Sequence, residues 1–345
     1  MTFDPNAKSY SPDHIYGLPF TEKKSQVIFI PVPWDATTSY KAGASHGPHA
    51  ILKASQQMDL FHASFGKFYS AGLFMQPLDK KIKNLNKKTR ELAQEIMQET
   101  EENLSSKKVL KQILEVNKSC AELTAWVYAK CVEAFKNKKT PIIVGGDHAT
   151  PLGAIRAYAE KFSDLTILHF DAHSDTRKSY MGFTESHASI MYNVMTSIPQ
   201  VKKLVQVGIR DFCEEEYLFT EKHPKIKVFY DRDLKRAEHM GTPWIDSCEK
   251  IIKELSHNVY ISFDIDGLDP RFCPNTGTPV AGGQDFSQII TLLAMLKDSG
   301  KKLVGFDVVE VAPAKHDDWD ANVGMRLMYE LTGVHLVTTG KYNSK

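Results

Sequence analysis

Short runs of continuous apolar residues, each followed by a helix-like stretch, recur along most of this chain. They fall at 27–30, 141–144, 166–170, 204–209, 226–229, 259–263 and 303–308. Unbroken rather than alternating apolar character marks strands buried on both faces. Helix-like stretches lie among them at 48–55, 151–161, 187–197, 243–255, 286–299 and 320–333. That succession predicts an α/β fold, with a mainly parallel sheet covered by helices on each side. A longer helical region spans 87–138, where Leu110, Ile113, Leu114, Leu123, Val127, Cys131 and Phe135 recur at three- and four-residue steps. Its Lys and Glu residues read as a solvated face rather than an oligomer contact. The first 25 residues are polar with scattered Pro and Gly, which predicts an irregular surface arm. No linker, repeat or low-complexity stretch interrupts 26–345, so a single domain is expected there.

Composition narrows the class of partner. The chain is 42% hydrophobic and 25% charged, with a net charge of +1. That balance gives no footprint for nucleic acid or an acidic membrane. Five cysteines, Cys120, Cys131, Cys213, Cys248 and Cys273, are widely spaced and include no C-x-x-C. They point to a reducing compartment and away from a disulfide scaffold. With no signal peptide and no apolar run long enough to span a bilayer, the expected location is the cytoplasm.

Three of the apolar runs end in ionisable clusters. One ends in Gly145-Gly146-Asp147-His148, where paired glycines permit a tight turn and close backbone approach. The second ends in Asp171-Ala172-His173-Ser174-Asp175, whose ionisable residues alternate and would project the same way from extended chain. The third ends in Asp264-Ile265-Asp266-Gly267-Leu268-Asp269-Pro270. A lone aspartate at such a place is explained by a cap or an ion pair. Six carboxylate and imidazole groups at one sheet edge would repel and lose hydration, and divalent cations relieve both costs. Four carboxylates and two imidazoles without a thiolate suit Mn²⁺, with Ni²⁺, Co²⁺ or Fe²⁺ as alternatives. Six ligands suggest two ions, which together can acidify a water into a nucleophile. The run at 303–308 leads to Glu310, a carboxylate suited either to a guanidinium or to an ion pair. His46 reads as a surface loop histidine.

These segments resemble the signatures of the ureohydrolase family, which includes arginases and agmatinases. The likeness rests on Gly-Gly-Asp-His at 145–148, Asp-Ala-His-Ser-Asp at 171–175, Ser-Phe-Asp-Ile-Asp-Gly-Leu-Asp-Pro at 262–270, Gly-Thr-Pro at 277–279 and Gly-Phe-Asp-Val-Val-Glu at 305–310. It runs from about residue 33 to about residue 313. The resemblance implies a three-layer α/β/α fold with an eight-stranded sheet and two Mn²⁺ per subunit. By motif position, His148, Asp171, Asp175 and Asp264 would hold one ion, and Asp171, His173, Asp264 and Asp266 the other. A bridging hydroxide oriented by Asp175 would attack the guanidinium carbon, giving urea and an amine. Glu310 would fix the guanidinium. His187, which otherwise reads as a helix N-terminal residue, would shuttle a proton to the leaving amine with a near-neutral pKa.

Two departures bear on the substrate. Ala188 stands after the loop histidine, where arginases and many agmatinases carry Gly. Residues 176–184 do not resemble the Asn-, Thr- and Ser-rich loop that holds the α-amino and α-carboxylate groups of arginine. Agmatine, cleaved to putrescine, is therefore the expected substrate. The alternative is an arginase or guanidinobutyrase, with Arg177 or Lys178 meeting the carboxylate of a substrate such as 4-guanidinobutanoate. Formiminoglutamate ranks lower, because Gly-Gly-Asp-His is intact. A deacetylase would keep a single zinc, and a silent binding subunit would show broken ligands, whereas all six are present. Members of the family are commonly trimers or hexamers, so a homo-oligomer is expected.

Overall fold

The computed structural model of the chain describes residues 3–6, 11, 13–100 and 102–343. Eight strands form a single sheet: β1 (Val27–Pro31), β2 (Leu73–Met75), β3 (Thr140–Val144), β4 (Leu165–Phe170), β5 (Lys203–Ile209), β6 (Ile226–Tyr230), β7 (Asn258–Asp264) and β8 (Lys302–Val309). Their order is β2-β1-β3-β8-β7-β4-β5-β6, and every neighbouring pair is parallel. The helices are α1 (Gly47–Ala54), α2 (Lys80–Met97), α3 (Lys107–Lys136), α4 (Leu152–Lys161), α5 (Ile190–Ser197), α6 (Glu214–Lys222), α7 (Asp231–His239), α8 (Trp244–Glu254), α9 (Phe286–Asp298) and α10 (Trp319–Thr338).

Strand periodicity divides the core into two. Phe29, Val144, Phe170, Phe263 and Val308 point to one face, where they pack with Ile51 of α1, Ile251 of α8, Leu292 of α9 and Leu327 of α10. Ile28, Ile30 and Ile143 point to the other, against Ile82 of α2 and Val127 of α3. Ile167 and Leu204 share that second face with Ile155 of α4 and Val194 of α5. The result is the three-layer α/β/α arrangement. Among the described residues no helix is long and apolar enough to cross a membrane.

The differences from the sequence expectations have local causes. The helical region 87–138 is made of two helices. α2 starts earlier, at an Asp79 cap that accepts from the Lys81 and Ile82 amides, and α3 starts at a Ser106 cap that accepts from the Val109 amide. The buried line along α3 runs through Val109, Val116, Cys120, Leu123, Val127 and Cys131. Leu110 and Leu114 lie one turn position off that line and face outward. β2, α6 and α7 escaped notice because β2 is three residues long and the two helices are nine residues each and rich in charge.

Within the expected 1–25 arm the described chain is irregular and exposed at 21–24, but part of it is docked on the core. Ile15, Tyr16 and Leu18 are buried. The Tyr16 hydroxyl donates to the Met325 carbonyl of α10 at 2.9 Å, and its ring lies 4.8 Å from that of Tyr329. Apolar side chains buried this fully contribute of order 1.5–3 kcal/mol each, which ties the segment down. Positions 1, 2, 7–10 and 12 of the expected arm lie outside the described residues.

Topology then positions the site. β4 follows β3 in sequence but lies three places away, and β8 and β7 fill the gap. The carboxyl ends of β3, β8, β7 and β4 therefore line up at the middle of the sheet, where open α/β sheets form their ligand crevices.

Candidate active site

The end of β3 is stitched to the loop after β1. The Gly146 amide donates to the Val32 carbonyl at 2.9 Å and the Asp147 amide to the Trp34 carbonyl at 2.7 Å. A Cβ on Gly146 would lie 1.7 Å from the Trp34 carbonyl oxygen, so only glycine permits the approach. The turn delivers His148, fully buried, to the centre of the cluster. Its Nδ1 lies 2.9 Å from Asp171 Oδ2, 3.2 Å from Asp264 Oδ2 and 3.3 Å from Asp175 Oδ2.

A hydrogen-bond chain fixes which nitrogen of His148 faces that way. Ser262 Oγ donates to Asp307 Oδ1 at 3.1 Å, so it accepts from His148 Nε2 at 3.0 Å. Nδ1 is left facing the three carboxylates, to which it donates when protonated and beside which it can ligate an ion when not. The carboxylates are held in the same spirit. In Asp171, Asp264 and Asp266 one oxygen is pinned by a backbone amide: Asp171 Oδ1 by His173, Asp264 Oδ1 by Asp266 and Asp266 Oδ1 by Ala172, at 2.6, 2.8 and 3.0 Å. The second oxygens turn inward. Asp266 Oδ2 sits 3.1 Å from His173 Nδ1, which is also 3.4 Å from Asp171 Oδ1.

All six of the metal-binding candidates are thus brought together: Asp171 reaches both His148 and His173, and Asp264 joins the cluster beside His148. The route differs from simple strand alternation. β4 ends at Phe170, and Asp175 reaches the cluster through a left-handed backbone with φ of 53°. Glu310 follows β8 with φ of 60°. Non-glycine residues in that region carry strain that is retained where the surroundings demand it. Glu310 Oε1 accepts from the His148 amide at 2.9 Å, and its own amide donates to the Gly146 carbonyl at 2.7 Å.

His169 was missed in the sequence. Gln206 Nε2 donates to His169 Nδ1 at 3.0 Å, which makes His169 Nε2 a donor to Asp171 Oδ2 at 2.8 Å. It therefore orients Asp171 rather than offering a lone pair to an ion. Its signal was present: an imidazole inside the apolar run of β4, on a strand buried throughout.

Electrostatics agree with the geometry. Burial, then the neighbouring Asp171, pushes Asp175 well above the usual carboxylate range, and burial with Asp266 does the same to Asp264. Burial also raises Asp171, but the bonds from His148, His169 and His173 outweigh it and hold it low. Burial, with Asp264 and Asp147 nearby, raises Glu310. Buried carboxylates this close favour positive charge among them, and two groups of their donor atoms, His148–His169–Asp171–Asp175 and Asp171–His173–Asp266, each lie within 4.8 Å of one another. The oxygen and imidazole donors fit divalent cations.

A cavity of about 180 Å³ opens onto the cluster, bounded by His148, His173, His187 and Glu310 and, toward its mouth, by Arg177 and Tyr180. The His187 amide donates to Thr37 Oγ1 at 3.3 Å, and its Nδ1 is buried without a partner. Burial, with the imidazoles of His173 and His148, pushes His187 down to about 3, not the near-neutral value expected. At neutral pH it is therefore an uncharged proton acceptor and donor. Lys178 is exposed and does not line the cavity. His46 lies on the surface in the turn before α1, as expected.

The family model described as the arginase family matches residues 25–333. The chain belongs to the arginase family. It is 29% identical over 313 residues to an N(1)-aminopropylagmatine ureohydrolase of Synechocystis, covering 89% of this chain and 88% of that protein. It is 30% identical over 288 residues to an agmatinase of Escherichia coli, covering 83% of this chain and 79% of the relative. Among solved structures, the proclavaminate amidino hydrolase of Streptomyces clavuligerus superposes with a TM-score of 0.71 at 23% identity, over 96% of this chain and 100% of that one. The agmatine ureohydrolase of Thermoplasma volcanium gives 0.69 at 21% identity, over 99% and 98%. Within the arginase family this chain is an agmatinase-like ureohydrolase, a hydrolase of guanidino compounds.

Proposed function

We propose that the chain is a manganese-dependent amidinohydrolase with two ions per subunit, which cleaves agmatine to urea and putrescine. The observation that carries this reading is the convergence of Asp171, Asp175 and Asp264 on a single His148 nitrogen, with His173 and Asp266 beside them. His148, Asp171, Asp175 and Asp264 would hold one ion, and Asp171, His173, Asp264 and Asp266 the other. Bound there, the ions supply Lewis-acid activation of a water nucleophile.

The protein's own groups do the rest. Glu310, with Oε1 held by the His148 amide, leaves Oε2 to receive the guanidinium N–H groups. That pairing favours its ionised form against burial. Asp175 accepts the proton of the attacking water. His187, uncharged at rest and with an unpartnered ring nitrogen beside the cavity, takes on the proton that Asp175 received and passes it to the departing amine.

Agmatine is preferred to arginine or 4-guanidinobutanoate on a specific observation. Arg177, which lines the cavity, pairs through Nε with Glu216 at 3.5 Å, so its charge is already partly offset. Relatives named for agmatine and aminopropylagmatine support the same choice. The five thiols are all unpaired, which supports a reducing, cytoplasmic setting, and a trimer or hexamer is proposed for the assembly. The test is kcat/KM for urea release by Mn²⁺-loaded protein from agmatine, arginine, 4-guanidinobutanoate and guanidine. Agmatine should lead, and a lead for arginine would reverse the substrate choice.

A further inference from the structure

The inner end of the cavity is built for a guanidinium, but its outer end carries chemistry that this leaves unused. Asp211 follows β5, its amide bonded to the Ala172 carbonyl at 3.0 Å. It lines the cavity, yet its side chain is 66% exposed. The other charges near it are already matched. Arg210 donates to the carbonyls of Gly208, Asp266, Leu268 and Val280. Glu216 accepts from the Thr176 and Cys213 amides at 3.0 and 2.9 Å and pairs with Arg177. Among the described residues no Lys or Arg pairs with Asp211. Its nearest ionisable partner is His173 Nε2 at 3.9 Å, too long for a hydrogen bond.

Phe212 stands beside it on the cavity wall, 37% exposed, its ring stacked on Tyr217 at 6.2 Å. Tyr230 also packs on this ring at 5.3 Å, so Phe212 offers its exposed part to the cavity, and an unmatched carboxylate next to a partly exposed aromatic ring is a setting for an ammonium group. We propose that Asp211 and Phe212 form a subsite for a second cationic end of the substrate, so that the site selects guanidino compounds carrying a distal amine. The inference rests on the guanidino-hydrolase reading and adds the residue that chooses among such compounds. Glu310 receives one end and Asp211 the other. A distal carboxylate meets Asp211 with no free cation to offset it, and a distal alkyl group gains only the Phe212 face.

The test compares agmatine with n-butylguanidine, which has the same chain without the amine, and with 4-guanidinobutanoate. Wild-type protein, Asp211→Asn and Asp211→Lys are each loaded with Mn²⁺. The wild type should prefer agmatine to butylguanidine in kcat/KM, through KM. Asp211→Asn should shrink that preference about two- to fivefold, the span of a largely exposed ion pair. Asp211→Lys, which adds repulsion to lost attraction, should shrink it about tenfold or more and move the advantage toward 4-guanidinobutanoate. An unchanged ratio in both variants overturns the proposal. So does a parallel fall for agmatine and butylguanidine, because that would mean Asp211 acts through His173. If the wild type releases no urea from any of the three, the hydrolase reading has failed on its own. Dissociation constants of the same compounds by calorimetry then carry the comparison, with a preference lost in the variants supporting the subsite and equal affinities refuting it.

Discussion

Asp171 is claimed from three sides. Its Oδ1 holds the His173 amide, and its Oδ2 lies between His148 and the donating His169. Such a carboxylate has no slack, and the account gives it to both ions. Asp171→Ala, and likewise Asp264→Ala, should lose bound metal and activity together, to below about one hundredth of wild type. Retention of two ions with full turnover would show the ligands to be misassigned. His187→Ala should behave differently. It should keep the metal content of wild type and lower kcat by about 10²-fold or more, as expected for loss of a general acid–base group. Wild-type kcat in that variant would remove the proton-transfer role. At this scale the sequence disclosed the clustered carboxylates and imidazoles but not their supports. Asp171, His173, Asp264 and Asp266 stand in compact motifs, whereas Gln206, Ser262 and Asp307 act across strands from 32 to 114 residues away. Contacts of that range leave no local pattern.

Elements show the same divide between local and long-range signals. Six of the seven longer strands were legible because burial on both faces demands an apolar run, and β6, half-buried, was legible through the apolar residues that flank Lys227. β2, with three residues, was not, and neither were α6 and α7, whose apolar stripes are too narrow to register. Tyr16 belongs to a stretch that reads as a polar arm, yet it docks on α10, more than three hundred residues away. His335 of α10 is another such tie. Its Nδ1 lies 2.7 Å from the Leu303 carbonyl of β8 and its Nε2 3.0 Å from Thr140 Oγ1 of β3. Burial, then the Lys341 ammonium, pushes its pKa down to about 3. An ordinary histidine in the unfolded chain takes up its proton near pH 6.5, so the unfolded state binds more protons between about 6.5 and 3. Stability is therefore complete above about pH 6.5 and falls as the pH is lowered through that window. The loss from this residue should be about 2 kcal/mol between pH 7 and 5. Denaturant unfolding of wild type and His335→Gln at both pH values checks this. The variant should show the smaller difference, and equal differences would mean His335 is not held neutral.

The whole molecule gathers its acids where the chain crosses from β3 to β4, and stability and function meet there. Buried carboxylates facing one another destabilise the fold until cations sit among them. Chelator-stripped protein should accordingly melt several degrees lower than Mn²⁺-loaded protein, by the usual linkage between binding and stability. Identical melting temperatures would mean that the cluster does not bind Mn²⁺. The most direct measurement is urea release from agmatine as stripped protein is titrated with Mn²⁺. The account predicts no urea from stripped protein, equal amounts of urea and putrescine on loading, and a rate that saturates near two ions per chain. Full turnover by stripped protein, or none with two ions bound, would contradict it.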